Sequence, residues 1–230
     1  MTYLKYSDNN RADTVHKFFI EACREYNVPS RVRCNFGGEN VDVARWMIEN
    51  RGCSRSSVIT GSSVHYARIE RLWQDLRRVV IRPFANLFYY MESCGILDPL
   101  DDVHLFALHF IYLPRINKSL TEFRLQYMHH PMRTANNRSP FQLFHEGVLQ
   151  FTSHTGSRGI IQNEVLAPKV FGVDEEAPWP DLQVDGEDTV NVVSPRNPLE
   201  PQQFELLAES IDPDYDGHQH GMALYENVLQ

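Results

Sequence analysis

Apolar positions recur along this chain at two periods, and the changes of period mark its elements. Tyr3-Leu4-Lys5-Tyr6 alternates apolar with polar and predicts a short strand. From Arg11 to Tyr26, Val15, Phe18, Phe19 and Ala22 repeat at helical spacing, with Asn10 as the expected N-cap. Asn27 and Pro29 should end that helix, because proline disfavours α geometry in the residue before it. Arg31–Cys34 reads as a second strand and Gly37-Gly38 as a turn. A helix over Val41–Asn50 would turn Val43, Ala44, Met47 and Ile48 inward and stop at Gly52. Val58–Thr60 is a third strand, followed by Gly61.

Beyond that point the pattern is helical. A long helix beginning near Val64 carries Ile69, Leu72, Trp73, Leu76 and Val80 on one face. Pro83 should end or kink it, leaving a separate helical stretch from Asn86 to Cys94. Val103–His129 predicts a strongly apolar helix that Pro114 should bend. Ser139-Pro140 supplies an N-cap and first-turn pair for a helix over Phe141–Gln150. Residues 151–200, rich in Gly, Pro, Asp and Glu and without periodicity, read as a mobile linker. Two short amphipathic helices, Gln202–Ser210 and Met222–Leu229, would follow it. The expected organisation is a body over residues 1–150 and an acidic linker and tail over 151–230.

Charge sharpens that division. The net charge of −8 conceals 19 Lys+Arg against 15 Asp+Glu in residues 1–150 and 3 against 15 in residues 151–230. A mildly basic body beside an acidic tail leaves nucleic-acid binding by the body open. Cys23, Cys34, Cys53 and Cys94 are scattered, which points to reduced thiols rather than a disulfide framework. No apolar run is long enough to span a membrane, and the N-terminus lacks the apolar core of a signal peptide. The expectation is a nuclear or cytoplasmic protein with no membrane partner. Gly37-Gly38 lacks the Lys-Ser/Thr of a phosphate loop, so no nucleotide cofactor is expected.

Three strings in order carry a resemblance: RVRCNFGGENVDVARWMIENRG, ITGSSVHYARIERLWQDL and FIYLPRINKSLTEFRLQYMHHPMRTANNRSPFQL. They resemble the integrase core domain of transposon-derived animal proteins, a family similar to retroviral integrases, over roughly Thr2 to Gln150. The tail IDPDYDGHQHGMALYENVL resembles the C-terminal extension of such proteins. The resemblance implies an α/β, ribonuclease H-like sheet flanked by helices, with three acids holding two metal ions. It places the second acid at Asn35 and the third at Glu70, 35 positions later. The first acid finds no counterpart, since Met1 falls near the end of the family's third strand. The expected fold is therefore a ribonuclease H-like integrase core lacking its first strands, followed by helices and an acidic, largely irregular tail. Without those strands, Arg31–Cys34 would present an unpaired edge.

The residues then set the chemistry. Two divalent ions need several anionic oxygens between them, and here one carboxylate would share the work with a neutral amide. Phe36, Tyr66 and Gln74 depart from the family's usual residues in the same neighbourhood. Glu70 is thus at best a weak ligand for Mg²⁺ or Mn²⁺, or simply a surface Glu on a solvated helix. Asn35 also serves as a turn residue. Arg68, Arg71, Arg78 and Arg82 recur every three or four residues, with Arg77 beside them and Arg51 and Arg55 in the loop before the third strand. Such a stripe suits phosphate contacts and equally suits a solvated helix face. His129-His130 is a poor metal pair, because adjacent helical residues point apart. The expected function is a catalytically inactive integrase-derived domain that at most binds DNA and needs no cofactor. One alternative is an active transferase completed in a longer product. Another is a protein-interaction module dimerising through the helices after Asn86.

Overall fold

The computed structural model describes residues 1–34, 37–52, 56–60, 67–155, 197–215 and 219–229; at Thr60, Ala67, Arg68, Glu70 and 151–155 it describes the backbone alone. Asn35, Phe36, Arg55 and the span 156–196 lie outside the described residues. The chain divides into two compact units. One gathers Met1–Tyr3, Asn10–Arg68 and Leu125–Asn191; the other gathers Leu4–Asn9, Ile69–Arg124 and Val192–Gln230.

In the first unit, α1 (Ala12–Tyr26) buries Phe19 and Ala22, as its periodicity predicts. The helix starts one residue later than expected: Arg11, extended at φ −69° and ψ 149°, takes the cap position instead of Asn10. Asn27 ends it at φ 68° and ψ 165°, a conformation that cannot continue the helix. Strands β1 (Val32–Cys34) and β2 (Val58–Thr60) pair in parallel, Val32 opposite Val58 and Cys34 opposite Thr60. Helix α2 (Val41–Arg51) makes the crossover that parallel strands require. Phe19, Val43 and Met47 form the core of this layer, with Tyr3, Val15, Val32, Trp46 and Val58 packed around them. Trp46 meets Phe19 edge to face at 5.7 Å. Gly52 closes α2 at φ 92°, donating its N–H to Ile48 at 2.8 Å. Arg51 donates to the carbonyls of Val28 and Pro29, so it fastens the end of α2 to the turn after α1 and does not extend a basic patch.

Tyr3–Tyr6 forms no strand, and β1 and β2 are the only strands among the described residues. At Tyr6 a side chain takes the place of a ladder. In the second unit, Asn117 accepts the Tyr6 N–H at 2.9 Å and donates to the Tyr6 carbonyl at 3.0 Å. One amide thereby satisfies both groups that a neighbouring strand would have satisfied.

The second unit is helical. Helix α3 (Ala67–Leu76) runs through a π-helical stretch, Arg77–Ile81, directly into α4 (Arg82–Ser93). Pro83 neither ends this helix nor starts a new one. Proline has no N–H to give to the carbonyl four residues back, and its ring crowds that carbonyl. The wider turn just before it absorbs the misfit: the Arg82 N–H reaches the Arg77 carbonyl, five residues back. Helix α5 (Asp102–His129) likewise continues through Pro114, and buries Phe106, Ala107, Ile111, Tyr112, Ile116, Leu120 and Phe123. Phe84 and Phe88 both meet Tyr112 edge-on, at 6.5 and 5.0 Å. Burial pushes the Tyr112 phenol up to about 12.

Back in the first unit, Met132 and Arg138 form an isolated antiparallel bridge, closed through Asn136 and Asn137 in left-handed geometry. Helix α6 (Pro140–Thr155) follows, with a reciprocal cap at its start. Ser139 Oγ accepts the Gln142 N–H at 3.2 Å, and Gln142 accepts the Ser139 N–H at 2.9 Å. Two further helices, α7 (Pro201–Ser210) and α8 (Met222–Val228), belong to the second unit and match the two short amphipathic stretches of the tail. Phe204 of α7 packs against Phe106 and Phe110, and Tyr225 of α8 is fully buried. No helix among the described residues is long and apolar enough to cross a membrane.

Candidate functional site

Strand β1 ends at Cys34, so Asn35 directly follows a strand end. Beyond it the chain folds into a 3-10 turn over Gly38–Asn40. The carboxylate of Glu39 lies back over Gly37, in the space that a side chain at that position would enter. Glu39 also accepts from Asn40 Nδ2 at 3.1 Å. Burial raises the Cys34 thiol above its ordinary pKa, and the nearby Glu39 carboxylate adds to the rise. An acid therefore does stand near the end of β1, supplied by Glu39. Sequence reasoning passed over it, although its place in the Gly-Gly-Glu-Asn turn was visible.

Glu70 sits in the first turn of α3, with Arg68 two residues before it. Their side chains, together with Asn35 and Arg55, lie outside the described residues. As a donor set, one carboxylate from Glu70 and one neutral amide from Asn35 do not fit a pair of divalent ions. Among the described residues, no three His, Cys, Asp or Glu side chains converge. His129 packs tilted against Phe141 at 5.0 Å, and Phe141 against His145 at 4.2 Å, which gives His129 a packing role.

The arginines of the α3–α4 helix are better defined. Arg71, Arg77, Arg78 and Arg82 are all exposed, while Leu76, Val80 and Met91 bury the opposite side. Arg78 forms an i,i+3 ion pair with Asp75 at 3.5 Å, with Arg78 74% exposed, so the pair is loose and solvent-screened. The predicted apolar face divides: Leu76 and Val80 are buried, but Ile69 and Trp73 are 44% and 46% exposed. Trp73, Arg77 and Ile81 follow one another at four-residue spacing on the flank of the arginine stripe.

A cleft of about 590 Å³ lies elsewhere in the second unit, with Val79, Pro83 and Leu87 on one wall and Arg115 and Lys118 on the other. Glu122 and Asp214 offset those cations, and Arg115 already donates to the Tyr215 carbonyl. The cleft is not a strong anion site. The arginines of α3–α4 are the densest run of exposed positive charge among the described residues that were candidates from sequence, with Asp75 opposing Arg78 loosely.

Comparison with known proteins agrees with the three motif strings. The sequence model of the integrase core domain matches residues 1–157. No curated protein and no solved structure matches the chain. With well over half of its 230 residues covered, the chain belongs to the integrase core domain family.

Proposed function

We propose that this integrase core domain is catalytically inactive and binds DNA through the arginine face of α3–α4. The observation that carries the first half is Asn35, a neutral amide immediately after β1, where the family resemblance expects an acid. The second half rests on four exposed arginines along one helix, which can follow a phosphate backbone without reading bases. The proposed fold is the ribonuclease H-like one, with β1, α2 and β2 as its final strand–helix–strand unit and Glu70 on the helix that follows. The proposed compartment is nuclear or cytoplasmic, with no cofactor required.

Filter binding across a salt series tests the DNA half. Real phosphate contacts release counterions, so affinity should fall steeply between about 50 and 200 mM salt. Affinity that is absent or independent of salt would end this reading. Neutralising the acidic residues of the span 156–196, which leaves α7 and α8 in place, should also raise affinity if that acidic segment competes for the arginines, and an unchanged affinity would exclude that competition.

Glu39 favours one other reading. Its carboxylate near the end of β1 would supply an anionic group where Asn35 supplies none, and with it an active metal-dependent transferase. That reading requires Mn²⁺-dependent strand cleavage lost in both Glu39→Gln and Glu70→Gln.

A further inference from the structure

The helix that carries the arginines carries exposed rings as well. Trp73 is 46% exposed, and Tyr89 and Tyr90 are 70% and 54% exposed, all on the same continuous helix as Arg77, Arg78 and Arg82. Rings at these exposed positions leave aromatic surface open to solvent, outside the core formed by Leu76, Val80 and Met91. The order along the helix is ring, three cations, then rings: Trp73, Arg77, Arg78, Arg82, Tyr89, Tyr90. The π-helical stretch Arg77–Ile81 lies between the two aromatic groups and takes more residues per turn than the flanking α-helix. It thereby turns Arg82 and Tyr89 relative to Trp73 from where an unbroken α-helix would set them.

Duplex DNA offers such a surface only phosphates, because its bases are stacked on one another and their faces are hidden. An unpaired strand offers both phosphates and open base faces. Aromatic platforms interleaved with cations are the arrangement that takes such strands without sequence preference. We infer that the α3–α4 face, with Trp73, Tyr89 and Tyr90 among its arginines, is a docking surface for single-stranded DNA. The inference rests on the DNA-binding reading above and adds the strandedness of the ligand. Positive charge complements the strand's phosphates, and the rings stack on its bases.

Fluorescence anisotropy of the full-length chain with a labelled 30-nucleotide oligo-dT and with a 30-base-pair duplex, at matched salt, tests it. The single strand should bind about tenfold or more tightly than the duplex. The double variant Trp73→Ala/Tyr89→Ala should lose roughly tenfold or more for the single strand while leaving duplex affinity unchanged. Arg77→Ala/Arg82→Ala should weaken both, and lower the salt dependence of both. Trp73→Phe, which keeps a ring, should restore most of the single-strand affinity. Equal affinity for the two ligands, or equal losses in the aromatic variant, would overturn the single-strand assignment and leave phosphate binding standing. Binding to neither would overturn both readings.

Discussion

Truncating Tyr225 should release the C-terminal helix α8. Its ring is completely buried, and its hydroxyl lies 2.8 Å from His104 Nδ1 at the start of α5. The Asp98 N–H points at the same nitrogen from 3.3 Å, which requires Nδ1 to be an acceptor and makes the Tyr225 hydroxyl the donor. Tyr225→Phe removes that one bond and keeps the ring, for a cost of about 1 kcal/mol. Tyr225→Ala also empties the space the ring fills, and aromatic-to-alanine changes in cores cost about 3–5 kcal/mol. Whole domains are stable by about 5–15 kcal/mol, so the alanine variant removes a large share while the phenylalanine variant does not. Hydrogen exchange over Met222–Val228 and a urea titration read the two effects together. The expected result is roughly fivefold faster exchange in α8 for Tyr225→Phe, and near-complete loss of protection with a lower urea midpoint for Tyr225→Ala. Unchanged exchange and midpoint in Tyr225→Ala would refute the docking of the C-terminal segment on α5. Equal effects from both variants would assign the energy to the hydroxyl rather than to the buried ring.

Three other outcomes follow from the same packing. His109 on α5 has its pKa lowered by burial, opposed more weakly by Asp8, and its Nδ1 is buried without a partner among the described residues. The unfolded chain therefore binds the proton more readily, so its contribution is present above the ordinary value near 6.5 and is lost as pH falls below it. Urea titrations at pH 7 and pH 5 should show that loss, and His109→Gln should reduce the difference. Asp75→Asn should raise DNA affinity by up to about fivefold in the anisotropy assay, since it frees Arg78 from a loose surface pair, and a decrease would contradict phosphate binding by Arg78. Met47→Ala, at a fully buried position between Phe19 and Val43, should lower stability by about 2–5 kcal/mol in a urea titration.

Much of the fold is legible where the pattern is local. Phe19, Val43 and Met47 declare themselves by spacing, Gly52 by its positive φ, and Ser139-Pro140 by cap chemistry. What is hidden depends on residues distant in sequence or on a competing local solution. Tyr3–Tyr6 has the alternation of a strand, yet the Tyr6 N–H and carbonyl are satisfied by Asn117, more than a hundred residues away. Pro83 has the signature of a helix end, but a π turn can carry a helix past a proline, and no residue preference announces it. Arg51 looks like part of a basic surface until the carbonyls of Val28 and Pro29 are seen to claim it. At the candidate site, the exposure of Arg71, Arg77, Arg78 and Arg82 matches their polarity. The exposure of Trp73 does not, because periodicity places it near Leu76 and cannot show how wide the buried stripe is. Glu39 was passed over for a similar reason: only the turn brings its carboxylate back toward Cys34.

A strand-cleavage assay on duplex DNA, with Mg²⁺ and with Mn²⁺, tests most directly whether this integrase core domain has lost its chemistry. The account predicts no product above the metal-free control in either metal, with Glu70→Gln indistinguishable from the parent chain. Mn²⁺-dependent cleavage that Glu70→Gln abolishes would contradict it.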